Sequence, residues 1–145
     1  MGMVDITEKP IVKREAEARG KIFLSRRTIE NVRRGEIKKG DLLQAAEIAA
    51  MNAAKQTHIL IPHCHQIPLD RVGVTFQISE DSIEASCLVR AQARTGVEME
   101  ALVGISIALN VIWDMVKYLE KNESGQYPKT RISDIEVVRK VKESR

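Results

Sequence analysis

The segment from Thr95 to Lys117 constrains the fold of this chain more than any other. Between Ala101 and Trp113 nearly every residue is Ala, Val, Leu, Ile, Gly or Trp, and a helix that is apolar almost all round is buried on most sides in a globular protein. Thr95, followed three residues later by Glu98, has the pattern of a capping box, which predicts that a helix begins here. We therefore expect the chain to fold around one long central helix.

The polar residues of this predicted helix lie on one stripe. Ser106, Asn110 and Asp114 follow one another at intervals of four residues, and Lys117 comes one turn after Asp114. An acid and a base buried in such a segment cost several kcal/mol to desolvate unless they are paired. Asp114 and Lys117 are therefore candidates for chemistry.

Glu98 and Glu100 form a second pair of candidates at the start of the helix. Glu100 and Asp114 would lie roughly 21 Å apart along a straight helix, too far for both to touch one reacting atom. They could serve the two ends of a long substrate, or the site could be assembled between subunits. We favour the second, because so apolar a helix needs more cover than one small domain supplies.

Composition narrows the classes of function. The 145 residues, of which 43% are hydrophobic and 30% charged, suit one domain, 1–145, with its own core. An aromatic content of 3% and a net charge of +3 argue against a nucleic-acid partner. Cys64 and Cys87 form neither a CxxC pair nor a disulfide framework, no signal peptide is recognised, and polar residues interrupt the apolar helix. We expect a cytoplasmic protein with reduced thiols and no membrane contact.

Local patterns predict the other elements. Residues 1–18 carry many charges without apolar periodicity and are expected to form a mobile or ligand-ordered arm. The remaining elements are predicted as a strand at 20–24, a helix from the cap Ser25 to Arg34, a helix from the cap Asp41 to about Gln56, an extended loop at 58–69, a hairpin of 72–78 and 83–91, and a last strand at 131–141. This order predicts an α+β protein, a two-layer ferredoxin-like fold whose antiparallel sheet has helices packed on one face.

Three histidines and a cysteine precede the hairpin, at His58, His63, Cys64 and His65. Imidazole and thiolate groups would suit zinc, but no carboxylate stands at a recognisable ligand spacing and no second Cys/His knuckle follows, so we expect no metal. Acid–base work or a phosphate contact is the better interpretation, because histidine titrates near neutral pH. A purely structural loop histidine stays an alternative for His58 and His63.

One run of residues, Thr95–Leu102 with the sequence TGVEMEAL, is long and specific, and several other matching segments stand in the right order along the chain. These are Val4–Ile6, Arg14–Ala16, Lys39–Asp41, Ala53–Thr57, Ile61–His65 and Asp114–Lys117. On these motifs the chain resembles the cyclic pyranopterin monophosphate synthase family, the accessory protein C of molybdenum cofactor biosynthesis. The family often has Leu where this chain has His63 and Pro where it has Gln66. Many members end in a Gly-Gly-Lys-Ser-Gly tail, where this chain has the charged segment 132–141.

The resemblance implies a lyase. Its substrate would be 3′,8-cyclo-7,8-dihydroguanosine 5′-triphosphate, which is rearranged to cyclic pyranopterin monophosphate with release of pyrophosphate. Asp114 and Lys117 would be the central acid–base pair, with pKa values shifted by burial toward the working pH. The implied catalytic residues are Lys39, His65, Glu98, Glu100, Asp114 and Lys117. The implied substrate-binding residues are His63, Cys64, His65, Met99, Glu100 and Lys55, with Arg26 or Arg27 as a further phosphate contact.

The family also implies an assembly. It forms a homohexamer, a trimer of dimers with sites at subunit interfaces, and it takes a small nucleotide-derived molecule as its partner. No cofactor is expected, and whether Mg²⁺ accompanies the triphosphate is left open. The alternative is a non-catalytic oligomeric module that binds a nucleotide or pterin. Turnover by Asp114→Asn and Lys117→Ala variants would separate the two, because only an enzyme needs this pair in the transition state.

Overall fold

Four antiparallel strands form one sheet in the order β2-β3-β1-β4, in a computed structural model that describes residues 1–144. The elements, in chain order, are β1 Val12–Phe23, α1 Arg26–Arg34, α2 Leu42–Lys55, α3 Thr57–Leu60, β2 Arg71–Ile78, β3 Ser82–Ala93, α4 Glu98–Glu120 and β4 Arg131–Glu143. The helices cover one face of the sheet, so the predicted ferredoxin-like α+β fold is confirmed.

Small residues allow the helices to pack closely on the sheet. Ala16 and Ala18 of β1 and Ala85 of β3 are fully or almost fully buried. On α4, a methyl group at Gly104 would lie 3.0 Å from the Cys87 sulfur of β3. The backbone of α4 therefore lies almost in contact with the layers around it.

The long helix is the centre of the core. Ile105, Leu109, Ile112 and Val116 of α4 are completely buried, and α4 packs against α2 and the sheet. By length and composition alone this helix could cross a membrane. Its burial within the fold makes it a core helix instead.

Glu120 ties the carboxyl end of α4 to two other elements. Its buried carboxylate accepts hydrogen bonds from the backbone N–H and hydroxyl of Ser25, from the Thr28 hydroxyl and, at 2.8 Å, from the Thr130 hydroxyl before β4. A buried carboxylate is tolerated when donors satisfy it. This end of α4 is therefore held in one position relative to α1.

The predicted helix caps at Ser25 and Asp41 are confirmed, since each side chain accepts a hydrogen bond from a backbone N–H in the first turn. The hairpin is confirmed as well, with Ile78 paired to Ile83 across its turn. The last strand is also present and extends to Glu143.

Three expectations about local structure are wrong. The predicted arm is too long, because β1 begins at Val12 and the buried Arg14 donates to the backbone oxygens of Ala93 and Arg94. The predicted extended loop begins instead with the short helix α3. The capping box is absent: Val97 is the N-cap of α4, with no side-chain hydrogen bond, and Glu98 is the first helical residue rather than the third.

Candidate active site

A cavity of about 290 Å³ opens at the amino end of α4. We call seven of the residues that line it the amino-end cluster. Its members are His63, Cys64 and His65 from the loop after α3, Glu98, Met99 and Glu100 from the first turn of α4, and Lys9 from the N-terminal segment. The structure thus brings together five of the six predicted substrate-binding residues with three of the six predicted catalytic ones.

The N-terminal segment holds one of these side chains in place. His65 Nε2 lies 2.7 Å from the backbone oxygen of Val4. The segment is itself folded by a turn in which the Asp5 carboxylate accepts from the backbone N–H and the hydroxyl of Thr7. A carbonyl oxygen can only accept, so Nε2 is the protonated nitrogen and, in the neutral ring, Nδ1 is the free acceptor.

Glu98 has one paired and one unpaired oxygen. Its Oε1 lies 3.2 Å from the Lys140 ammonium of β4. Its Oε2 is buried and, among residues 1–144, has no hydrogen-bond partner. A buried carboxylate oxygen without a donor is costly, so the Glu98 carboxylate has unused hydrogen-bonding capacity beside the cavity.

Glu100 is the buried acid of the cluster, with 4% of its surface exposed. Burial raises the pKa of its carboxyl, and the charge of nearby Glu98 raises it further. The pKa of the Cys64 thiol is also raised, by burial and by the charges of the same two glutamates. Glu100 is therefore closer than an ordinary glutamate to exchanging protons near neutral pH.

A second group, the carboxyl-end cluster, lies further along α4. The Asp114 carboxylate takes the Lys39 ammonium at 2.9 Å on one oxygen and the Lys117 ammonium at 3.0 Å on the other. The helix is continuous between Glu100 and Asp114, so the two clusters are roughly 21 Å apart along its axis. One molecule of this chain does not bring the six predicted catalytic residues together.

The expected burial of Asp114 and Lys117 is wrong for the single chain, where 55% and 43% of their side chains are exposed. The expected pKa shifts are wrong in direction as well. Hydrogen bonds from Lys39 and Lys117 lower the pKa of Asp114, and the Asp114 carboxylate raises that of Lys117. Both groups are therefore firmly charged at neutral pH, because pairing and not burial dominates.

Two further predicted contacts lie elsewhere. Lys55 is exposed at the end of α2 and does not line the cavity. Arg26 and Arg27 begin α1 and line a separate basic cleft with Lys129 and Arg131. Within residues 1–144, no three His, Cys, Asp or Glu side chains are grouped as a metal ion would need.

The sequence analysis missed Lys9 and Lys140. Lys9 lies in the segment interpreted as a mobile arm, and Lys140 lies in the segment that replaces the Gly-rich tail. Each is one lysine among 23 basic residues, so neither had a local pattern to distinguish it. Only the pairing of β4 with β1 brings Lys140 to Glu98.

Comparison with known proteins gives one consistent result. The model of the MoaC family matches residues 3–143. A protein of Thermococcus kodakarensis is 56% identical over 140 residues, covering 97% of this chain and 90% of its own length. A protein of Sulfolobus acidocaldarius is 54% identical over 140 residues, covering 97% of this chain and 98% of its own length. Both are named probable cyclic pyranopterin monophosphate synthase.

Proposed function

This chain belongs to the MoaC family, and we propose that its two polar clusters form the active site of a cyclic pyranopterin monophosphate synthase. The reaction is a lyase step of molybdenum cofactor biosynthesis. It converts 3′,8-cyclo-7,8-dihydroguanosine 5′-triphosphate to cyclic pyranopterin monophosphate and pyrophosphate. Ring rearrangement and phosphate cyclisation need several proton transfers and stabilisation of a triphosphate, so the site must supply both acid–base groups and cations.

The observation that carries the proposal is the grouping of His65, Glu98 and Glu100 around one cavity. The burial of Glu100, which raises its pKa, supports a role as proton donor and acceptor to the purine-derived ring. His65 has its Nε2 occupied by Val4, which leaves Nδ1 to accept a proton. His63, Cys64 and Met99 would shape the cavity around the ring.

The carboxyl-end cluster supplies positive charge for the triphosphate. Asp114 stays ionised between the Lys39 and Lys117 ammonium groups and so holds two cations close together. Two ammonium groups at this spacing suit phosphate oxygens. When substrate and a second subunit exclude water, the Asp114–Lys117 pair would exchange its proton more readily, because desolvation favours the neutral forms. Lys55, Arg26 and Arg27 would contact the outer phosphates.

The separation of the clusters supports assembly between two copies of the chain. We propose that the amino-end cluster of one subunit faces the carboxyl-end cluster of its partner, in a dimer that is the unit of a hexamer. Two-fold symmetry then produces two identical sites from one contact. We further propose that the reaction is cytoplasmic and needs no resident cofactor, with Mg²⁺ as an optional companion of the triphosphate.

The activity is tested by incubating the purified protein with the cyclic dihydro-GTP intermediate. We expect stoichiometric release of pyrophosphate and of a pterin product, at a rate about 10²-fold or more lower with an Asp114→Asn variant. A protein that binds the substrate tightly and returns it unchanged would be the non-catalytic binding module instead.

Assembly between subunits is tested by complementation. Glu100→Gln and Asp114→Asn each disable a different cluster, and co-expression produces mixed dimers. About half of randomly formed dimers are mixed, and each has one site free of both changes, so about one quarter of the wild-type turnover should return. If one chain contained the whole site, the mixture would have no more turnover than the two variants measured separately.

A further inference from the structure

We propose that Gly96 is a positioning residue, whose missing side chain leaves the space in which the Glu98 carboxylate lies. The inference rests on the proposed function, because it assigns a task to a residue of that site. It concerns the glycine of the TGVEMEAL run, which neither turn geometry nor a helix cap explains.

The space beside Gly96 is filled by the side chains of Glu98 and Lys140. A Cβ built on Gly96 would meet Glu98 Oε2 well inside 3.0 Å, closer than real Cβ atoms come, and the Glu98 carboxyl carbon at 3.1 Å. It would also lie 3.2 Å from the Cε atom of Lys140. The unpartnered oxygen of Glu98 is therefore the atom that depends most directly on this glycine.

Backbone strain does not account for Gly96. The positive-φ glycines are Gly2, Gly35, Gly40 and Gly125, and Gly96 is not among them, so an L-residue could adopt its backbone conformation. The conflict is with the end of a flexible side chain, which can rotate away at little cost to the fold. An alanine should thus displace the carboxylate and leave the fold intact.

Displacement changes what Glu98 can do. With the present geometry, Oε1 faces Lys140, and Oε2 is buried beside Gly96 with no hydrogen-bond donor among residues 1–144. A carboxylate moved by about 1 Å would lose its alignment with a substrate donor, and misplacement of that size can reduce turnover about 10²-fold. The loss should fall mainly on kcat if Glu98 relays a proton in the transition state.

The test is a double-mutant cycle of Gly96→Ala and Glu98→Ala, with pyrophosphate release as the assay. Gly96→Ala alone should reduce kcat about 10²-fold and leave the melting temperature unlowered. In the Glu98→Ala background, Gly96→Ala should have almost no further effect on kcat, because the carboxylate that it displaces is absent. Gly73→Ala is the matched control, since a Cβ there meets only the Arg71 guanidinium at 3.6 Å, and it should retain full turnover.

A crystal structure of the Gly96→Ala variant supplies a readout that does not depend on activity. We expect the Glu98 carboxylate to have rotated away from residue 96 while the α4 backbone is unchanged. The inference is overturned if the carboxylate stays in place, if Gly96→Ala retains wild-type kcat, or if the same loss appears in both backgrounds of the cycle. If the wild type itself releases no pyrophosphate, the proposed function fails instead. The crystal structure of the Gly96→Ala variant then still tests whether the carboxylate is displaced.

Discussion

Glu100→Gln should make the protein more stable and far less active. The substitution keeps the size of a side chain that is 4% exposed and removes its proton exchange. General acid–base groups contribute about 10²–10⁴-fold to a rate, which corresponds to about 3–5 kcal/mol at 1.36 kcal/mol per tenfold. We expect kcat to fall within this range.

The gain in stability follows from the direction of the pKa shift. Burial raises the pKa of Glu100 in the folded state above the ordinary value of about 4.3 in the unfolded chain. Between these two values the folded protein binds more protons than the unfolded chain. The free energy of unfolding therefore falls as pH rises through this window, by up to about 1.4 kcal/mol per pH unit. A glutamine has no such loss, so the variant should equal the wild type near pH 4 and exceed it at pH 7.

Urea unfolding at fixed protein concentration, from pH 4 to pH 8, measures the difference between the two proteins. Glu47→Gln, which changes an exposed glutamate of α2, is the control and should alter neither stability nor turnover. A Glu100→Gln variant that is less stable than the wild type at pH 7, or that keeps its turnover, would refute the assignment of Glu100 as the buried acid.

Three other changes test separate parts of the structure. Asp114→Asn should reduce turnover about 10²-fold or more. It should hardly change the melting temperature, because exposed ion pairs stabilise a fold little. A large fall in melting temperature would contradict the exposed position of this pair. Glu120→Ala leaves buried hydroxyl groups without an acceptor and should cost about 2–6 kcal/mol in urea unfolding, whereas Glu143→Gln on the surface should be neutral. Nitrogen NMR of neutral His65 should find the ring proton on Nε2, because Nε2 donates to the Val4 oxygen. Deletion of residues 1–4 removes that acceptor and should produce a mixture of both tautomers. A proton on Nδ1 in the intact chain would contradict the hydrogen bond to Val4.

The parts of the fold that depend on local signals could be predicted. Ser25 and Asp41 cap their helices because their side-chain oxygens reach backbone N–H groups within one turn. The hairpin follows from alternation of apolar residues around a polar turn. Polar residues interrupt the long apolar segment and argue against a membrane span, which leaves a buried core helix as its interpretation.

The parts of the fold and of the site that depend on long-range pairing could not be predicted from the sequence. Glu15 is buried in β1 because Arg90 of β3 and Arg139 of β4 pair with it at 2.7 and 2.6 Å. Charged residues in the first half of β1 do not show the apolar alternation of a strand, so the sequence pattern predicts the strand only from residue 20. Thr95 resembled a cap, but the chain places Val97 at that position. Lys140 reaches Glu98 only because β4 pairs with β1.

The two ends of α4 provide different environments for chemistry. At the amino end, burial favours the neutral form of Glu100, and one oxygen of Glu98 has no hydrogen-bond partner among residues 1–144. At the carboxyl end, Asp114 and its two lysines are charged and exposed. An acid that must exchange protons requires the first environment, and a cation that must meet a triphosphate requires the second. Because α4 is one uninterrupted helix from Glu98 to Glu120, a two-fold contact that brings opposite ends together would hold both environments at one spacing in both sites.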